Sequence, residues 1–318
     1  LMGSDALHYT TSSSNTGIGW QAMFSNTTGV QNVALGYQAL RGNATLNGNV
    51  AIGSQALLSL SGGPGFHTAV GHLALTSNTT GGYNVAVGYR ALHTNTTGTN
   101  NTGVGFQSLY WNTIGRQNTA VGYNSLTNNT NGNNSAAVGF GSLYSNTTGQ
   151  YNTAVGYNTL YYNTTGVNNV AIGYAALFNN NGTQYNVGVG YYALFTNTTG
   201  DYNNALGYQA LYSNTTGITN NAFGNTALYS NTYGTNNTGM GHNVLYANTT
   251  GSNNTGIGYL ALRYTTIGAE NTALGVSALQ SNTTGVNNVA VGRSAGLNNT
   301  TGYNNIADRK STRLNSQS

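Results

Sequence analysis

The sequence has no cysteine, a single proline and, among 318 residues, only 4% that are Asp, Glu, Lys or Arg. Without cysteine there is no disulfide framework and no thiol chemistry, and the redox compartment cannot be read from cysteine usage. An ordinary soluble domain carries about a quarter charged residues, so this chain folds with a nearly uncharged surface. The net charge of +4 is dispersed, with no Lys/Arg run before the last residues. That removes the electrostatic footprint of a nucleic-acid partner. No apolar run approaches the ~20 residues of a membrane span. Simple disorder is excluded too, because it pairs low hydrophobicity with high charge, whereas here 10% of residues are aromatic.

What is present is repetition. The Gly of an "AVG" element falls at Gly19, Gly36, Gly53, Gly71, Gly88 and onward to Gly292, giving 17 copies with a period of 17 residues and one 18-residue step. Counting the first Asn as position 1, the unit reads like "NTAVGYNTLYYNTTGVN", Asn152 to Asn168. Position 5 is Gly in all 17 copies, position 9 is Leu in 15 and position 12 is Asn in 15. The long step coincides with "SGGPGFH" at 61–67, which holds Pro64. A loop there can absorb one residue without shifting the later register.

Each repeat is rich in Gly, Asn, Thr and Val, all poor in helix interiors. The reading is therefore all-β: a parallel β-solenoid (β-helix or β-roll) with 17-residue coils and two short strands per coil, at positions 2–6 and 8–11. "NTTG" supplies the turn between one coil and the next. Seventeen coils ~4.8 Å apart would make a rod about 80 Å long. One coil cannot repay the entropy of ordering its residues, so coils must stack. The expected core columns are positions 4 and 9, such as Val155 and Leu160. Ala154 and Gly156 would then form a flat strip against either another protomer or the coil's own opposite wall.

"NVAIG" at Asn49–Gly53 and Asn169–Gly173, with "NVAVG" at Asn84–Gly88 and Asn288–Gly292, resembles the N-S-V-A-I-G repeats of trimeric autotransporter adhesin heads. The fuller phrase at Asn203–Gly217 is similar to repeat arrays of bacterial and phage tail-fibre-like proteins. The resemblance covers nearly the whole chain. It implies an extracellular β-roll fibre, with copies of the same chain as partner, in a homotrimer or by end-to-end stacking into a filament.

The ends break the pattern. Residues 1–14 read as a partial preceding repeat, and 15–307 as 17 coils plus the start of an eighteenth. Residues 308–318, with "DRKSTRLNS", resemble a translated sequencing adapter and are expected to be a non-native tail.

Catalytic chemistry finds no foothold. Asp5, Asp201, Glu270 and Asp308 are widely separated, and no Ser shares its repeat position with a His and an Asp. Of the histidines, only His67 and His72 could meet. No catalytic, cofactor or metal site is expected, and the chain is read as a non-enzyme. Two features could carry function. Tyr at positions 6 and 10 would form aromatic columns, as ladder packing or as a sugar-stacking surface. The N-T-T sequon at position 12 recurs at Asn26, Asn78, Asn95, Asn146, Asn163, Asn197, Asn214, Asn248, Asn282 and Asn299. It is either a turn with an Asn ladder or a glycan or ligand edge. The expected function is an extracellular structural fibre or adhesin shaft, with glycosylation as an added expectation. The alternatives are a carbohydrate- or host-binding tail-fibre module and an ice-binding solenoid using its Thr array.

Overall fold

The computed structural model describes residues 3–308; the chain falls into two compact units, Leu1–Asn158 and Thr159–Ser318, each considered over its described residues. Each unit is a parallel β-solenoid. The first has nine three-residue strands, one per coil, from β1 (Thr16–Ile18) to β9 (Thr153–Val155); the second has nine, from β10 (Val170–Ile172) to β18 (Ile306–Asp308). There is no helix among the described residues. Neighbouring strands within a unit pair in parallel at the sequence period, as in Thr102↔Thr119 and Val187↔Asn204. The one offset is between β3 (Val50–Ile52) and β4 (Thr68–Val70), where Val50 pairs with Thr68. The 61–67 loop takes up the extra residue, with Gly63 and Gly65 at φ +94° and +80° on either side of Pro64.

The second expected strand is a pair of turns. In each coil the strand ends at position 4, and the following Gly takes φ between +118° and +141°. The Ala56 amide then bonds back to the Gly53 carbonyl (3.2 Å), and the Asn95 amide to the Leu92 carbonyl (3.2 Å). Positions 7 and 9 are left-handed. All fifteen position-9 leucines have φ between +48° and +54°. A left-handed Leu costs roughly 1–2 kcal/mol, whereas its full burial contributes about 1.5–3 kcal/mol. Burial wins, helped by the backbone bond each Leu makes to the next coil, such as Leu211 N–H to Ala227 C=O (3.0 Å). The inter-coil ladder thus continues through segments that are not strand, which keeps buried backbone groups satisfied.

The inside and outside of the strand are reversed from the expectation. Position 3 faces inward: Ala86, Ala120, Ala154 and Ala171 are fully buried. Position 4 faces outward, with Val155 37% exposed, while Leu160 at position 9 is fully buried as expected. The reason is volume. The Leu of the turn segment fills the narrow interior, and a Cβ built on Gly188 at position 3 would lie 3.2 Å from Leu177 Cγ of the preceding coil. Only Ala or Gly leaves room for it. The position-3 part of the small-residue strip therefore packs inside the solenoid, against the wall of its own and the preceding coil, while the position-5 glycines lie against the next coil's backbone.

Residues 3–14 join the first unit's ladder: Leu7 N–H bonds to Ala22 C=O (3.0 Å), and Thr11 N–H to Thr27 C=O (2.9 Å). The tail expected at 308–318 lies outside the described residues apart from Asp308, which ends β18.

Candidate functional surfaces

The asparagines of positions 1 and 12 are interior. Asn84 and Asn95, from opposite ends of one coil, both donate from Nδ2 to the Gly98 carbonyl, at 2.8 and 3.1 Å. Asn95 Nδ2 also donates to Asn78 Oδ1 one coil back (2.7 Å), while Asn84 Oδ1 accepts the Asn101 amide one coil on (2.9 Å). The second unit repeats this: Asn220 and Asn231 converge on Gly234 at 2.8 and 3.0 Å. Position 15 is Gly in most coils, where a Cβ on Gly81 would fall 2.6 Å from Asn78 Oδ1, but Leu46 offers its carbonyl to Asn32 and Asn43 in the same way. A buried amide left unbonded costs about 1–3 kcal/mol, so two ladders, interrupted at Leu60 and Thr265 in one and at His67 and Ser135 in the other, turn a polar interior into a structural asset.

This arrangement places the sequon residues. Asn26, Asn78, Asn95, Asn146, Asn163, Asn197, Asn214, Asn248 and Asn282 are fully buried, and Asn299 is half-buried. In the folded coil the Nδ2 atoms of the buried ones serve as ladder donors, for example Asn214 to Gly217 and to Asn197, at 3.0 and 2.9 Å. The Thr after each is also engaged: Thr96, Thr215 and Thr249 donate from Oγ1 to the next coil's carbonyl at 3.1 Å each. The outward Thr is the next one, at position 14, and that row is interrupted by Gly62, Ile114, Asn131, Gly182, Tyr233 and Ile267.

Outside, the sheet presents positions 2, 4 and 6. Position 4 exposes Ile18, Leu35, Val121, Val138, Ile172, Leu206 and Ile257. Position 6 is an aromatic column whose rings stack coil on coil, with Tyr89, Phe106, Tyr123 and Phe140 separated by 5.2, 4.9 and 5.2 Å between centroids. Position 10 stacks likewise, with Phe195, Tyr212, Tyr229 and Tyr246 at 5.4, 5.2 and 5.1 Å. Stacked rings cover each other's faces and leave edges outward, which suits ladder packing better than a sugar platform.

Titratable groups are dispersed. The Asp201 carboxylate accepts the Gln184 amide (2.9 Å), and Glu270 sits at a left-handed turn position. His72 lies in the outer column against Tyr89 (5.8 Å), whereas His67 is buried in the position-1 ladder, so the two are not brought together as a ligand pair. Burial pushes the His67 pKa down to about 4, against a backbone bond to Gly81 that favours the charged form. No group of three or more potential metal ligands occurs among the described residues. An Asn ladder at position 12 was one of the two readings of the sequence and is what the structure holds; the role of His67, the second ladder at position 1 and the outward apolar stripe were missed by sequence reasoning. The available signal was the matching retention of Asn at positions 1 and 12. Neither protein-family models nor curated proteins give any match to the chain.

Proposed function

We propose that this chain is part of an extracellular structural fibre or adhesin shaft that works by reach and surface display, and that its partner is further copies of itself. The observation that carries the reading is the outward sheet face. In the first unit, positions 2, 4 and 6 hold no Asp, Glu, Lys or Arg, and aliphatic residues alternate with stacked rings in coil after coil. Exposed contiguous apolar patches of that kind mark interaction sites. Four residue steps of ~3.3 Å across nine strands ~4.8 Å apart give a face of roughly 500 Å² in projection. A standard interface buries about 800 Å² of accessible surface per partner, a measure that includes side-chain relief as well as projected area. The repeat resemblance supports the extracellular placement and association as a homotrimer. The inter-coil ladder, which offers each coil the same bonds as the last, supports end-to-end filaments.

Sedimentation velocity and negative-stain electron microscopy of the whole chain test this. Trimers or filaments at micromolar concentration are expected. A monodisperse monomer at all concentrations overturns the reading, and if that monomer arrests ice-crystal growth, the chain is an ice-binding solenoid instead.

A further inference from the structure

The turn edge of the first unit carries a groove unlike its surroundings. It has a volume of about 450 Å³ and crosses four successive coils, between Thr97 and Tyr151. Its lining departs from the repeat: Ile114 and Asn131 replace the usual position-14 Thr, and Arg116, Asn133 and Gln150 occupy position 16. Gln117, Asn134 and Tyr151 complete it at position 17. The backbone beneath is fixed by the ladder: Asn134 N–H bonds to Arg116 C=O (3.0 Å), Tyr151 N–H to Asn133 C=O (3.1 Å), and Arg116 N–H to Asn133 Oδ1 (2.8 Å). A row of side chains is thus held on a rigid floor.

We propose that this groove binds an acidic oligosaccharide, with Arg116 taking a sugar carboxylate. The first reason is charge. Arg116 is exposed and has no ion pair among the described residues. Asp5, the unit's single carboxylate, is beside His8 at 3.9 Å. A planar guanidinium matches a carboxylate bidentately. The second is the amides. Gln117, Asn131, Asn134 and Gln150 each combine donors with an acceptor, the chemistry that hydroxyls require because they also do both. The third is Tyr151. Its ring is 56% exposed, and the preceding residue of its column is Asn134, so no ring covers that face. This sets it apart from the stacked columns and leaves an apolar platform for the C–H face of a pyranose. A nucleic acid is disfavoured, because a single-strand phosphate every ~3.4 Å would call for several cations, and the groove has one.

The test is isothermal titration of the whole chain with a galacturonate tetramer and with its fully methyl-esterified, neutral counterpart. The acid form should bind and the ester should bind at least about tenfold more weakly, in line with the loss of a charge-assisted bond. Arg116→Gln should abolish that preference, Tyr151→Ala should weaken both sugars, and Arg263→Gln in the other unit should change neither. Circular dichroism and oligomeric state, followed in parallel, separate this result from the fibre reading. Absence of tetramer binding, equal binding of acid and ester, or an Arg116→Gln chain that keeps the preference each overturns the proposal.

Discussion

The Nδ1 atom of His67 lies 3.3 Å from the backbone nitrogen of Asn84, the place that other coils give to an asparagine Oδ1. Because the Asn84 amide donates, Nδ1 carries no proton and Nε2 does, facing Gly81 as an Asn Nδ2 would. The histidine therefore imitates asparagine only while neutral. Protonation would set an N–H against an N–H in a site without water access.

The sign of the resulting pH dependence follows. The folded pKa is about 4, below the ordinary histidine value of 6.5, so the folded state binds the proton less readily than the unfolded chain. Stability is fully present above pH 6.5, declines as pH falls from 6.5 to about 4, and levels off below, for this group. The loss is about 3 kcal/mol across that window. His67→Asn should rejoin the ladder and flatten this part of the profile. Thermal unfolding of both chains between pH 4 and 7 checks it; parallel profiles would remove His67 as the cause.

Asn231 tests the ladder where it is unbroken. Its Nδ2 bonds to Asn214 Oδ1 (2.8 Å) and Gly234 C=O (3.0 Å), and its Oδ1 accepts from Asn248 Nδ2 (2.8 Å). Asn231→Ala orphans Asn214 Oδ1 and takes one of two bonds from Asn248 Nδ2, which keeps Gly251, while Gly234 keeps Asn220. The expected cost is about 2–4 kcal/mol in urea unfolding. A loss under about 0.5 kcal/mol would mean that water replaces the side chain.

These residues show what the sequence could reveal. The period of Gly19, Gly36 and Gly53 was enough for coil length, parallel pairing and register, because every copy must meet its neighbour in the same way. The direction of Val155 was not legible. "TAV" alternates equally well either way round, and the choice rests on Leu at position 9 filling the interior from the far wall. The turns at positions 5–12 were hidden as well, since a left-handed Leu runs against local propensity and is paid back only by burial. Asn214 was ambiguous for a related reason: "NTTG" has the composition of a surface turn, and only the stacked coils enclose it.

Gly241 should tolerate no side chain. Its φ is +141°, and a Cβ there would lie 2.5 Å from the Gly258 carbonyl oxygen. That neighbour is backbone in the ladder and cannot swing aside. Gly241→Ala is expected to lower stability by more than about 3 kcal/mol, combining the strained φ with a displaced coil. The exposed Thr250→Ala serves as a control within about 0.5 kcal/mol. Melting temperatures of the two variants decide it.

The buried amides predict the modification state of the native material. With Asn146 and Asn214 fully buried, tryptic or chymotryptic peptides spanning 146–149 and 214–217 should carry unmodified mass. A glycan mass on either, in a chain whose circular dichroism is that of the folded solenoid, would show that these coils open or refold around the sugar.

The outward stripe gives the sharpest check on self-association. Val121 and Val138 are position-4 neighbours on adjacent strands, 36% and 38% exposed. Replacing both with Glu places like charges in directly paired positions, which costs each coil little in a solvated monomer but strongly penalises a face that must be dried against another copy. The double variant should therefore sediment as a smaller species than the parent at equal concentration, with its thermal midpoint shifted by no more than the lost association accounts for. Ala120→Glu is the contrasting case, because that side chain faces the interior and is fully buried. It should unfold the coil and leave no soluble species to compare. If the double Glu chain keeps the parent's sedimentation coefficient, the contact between copies lies on another face, and the exposed stripe must be explained by a different ligand.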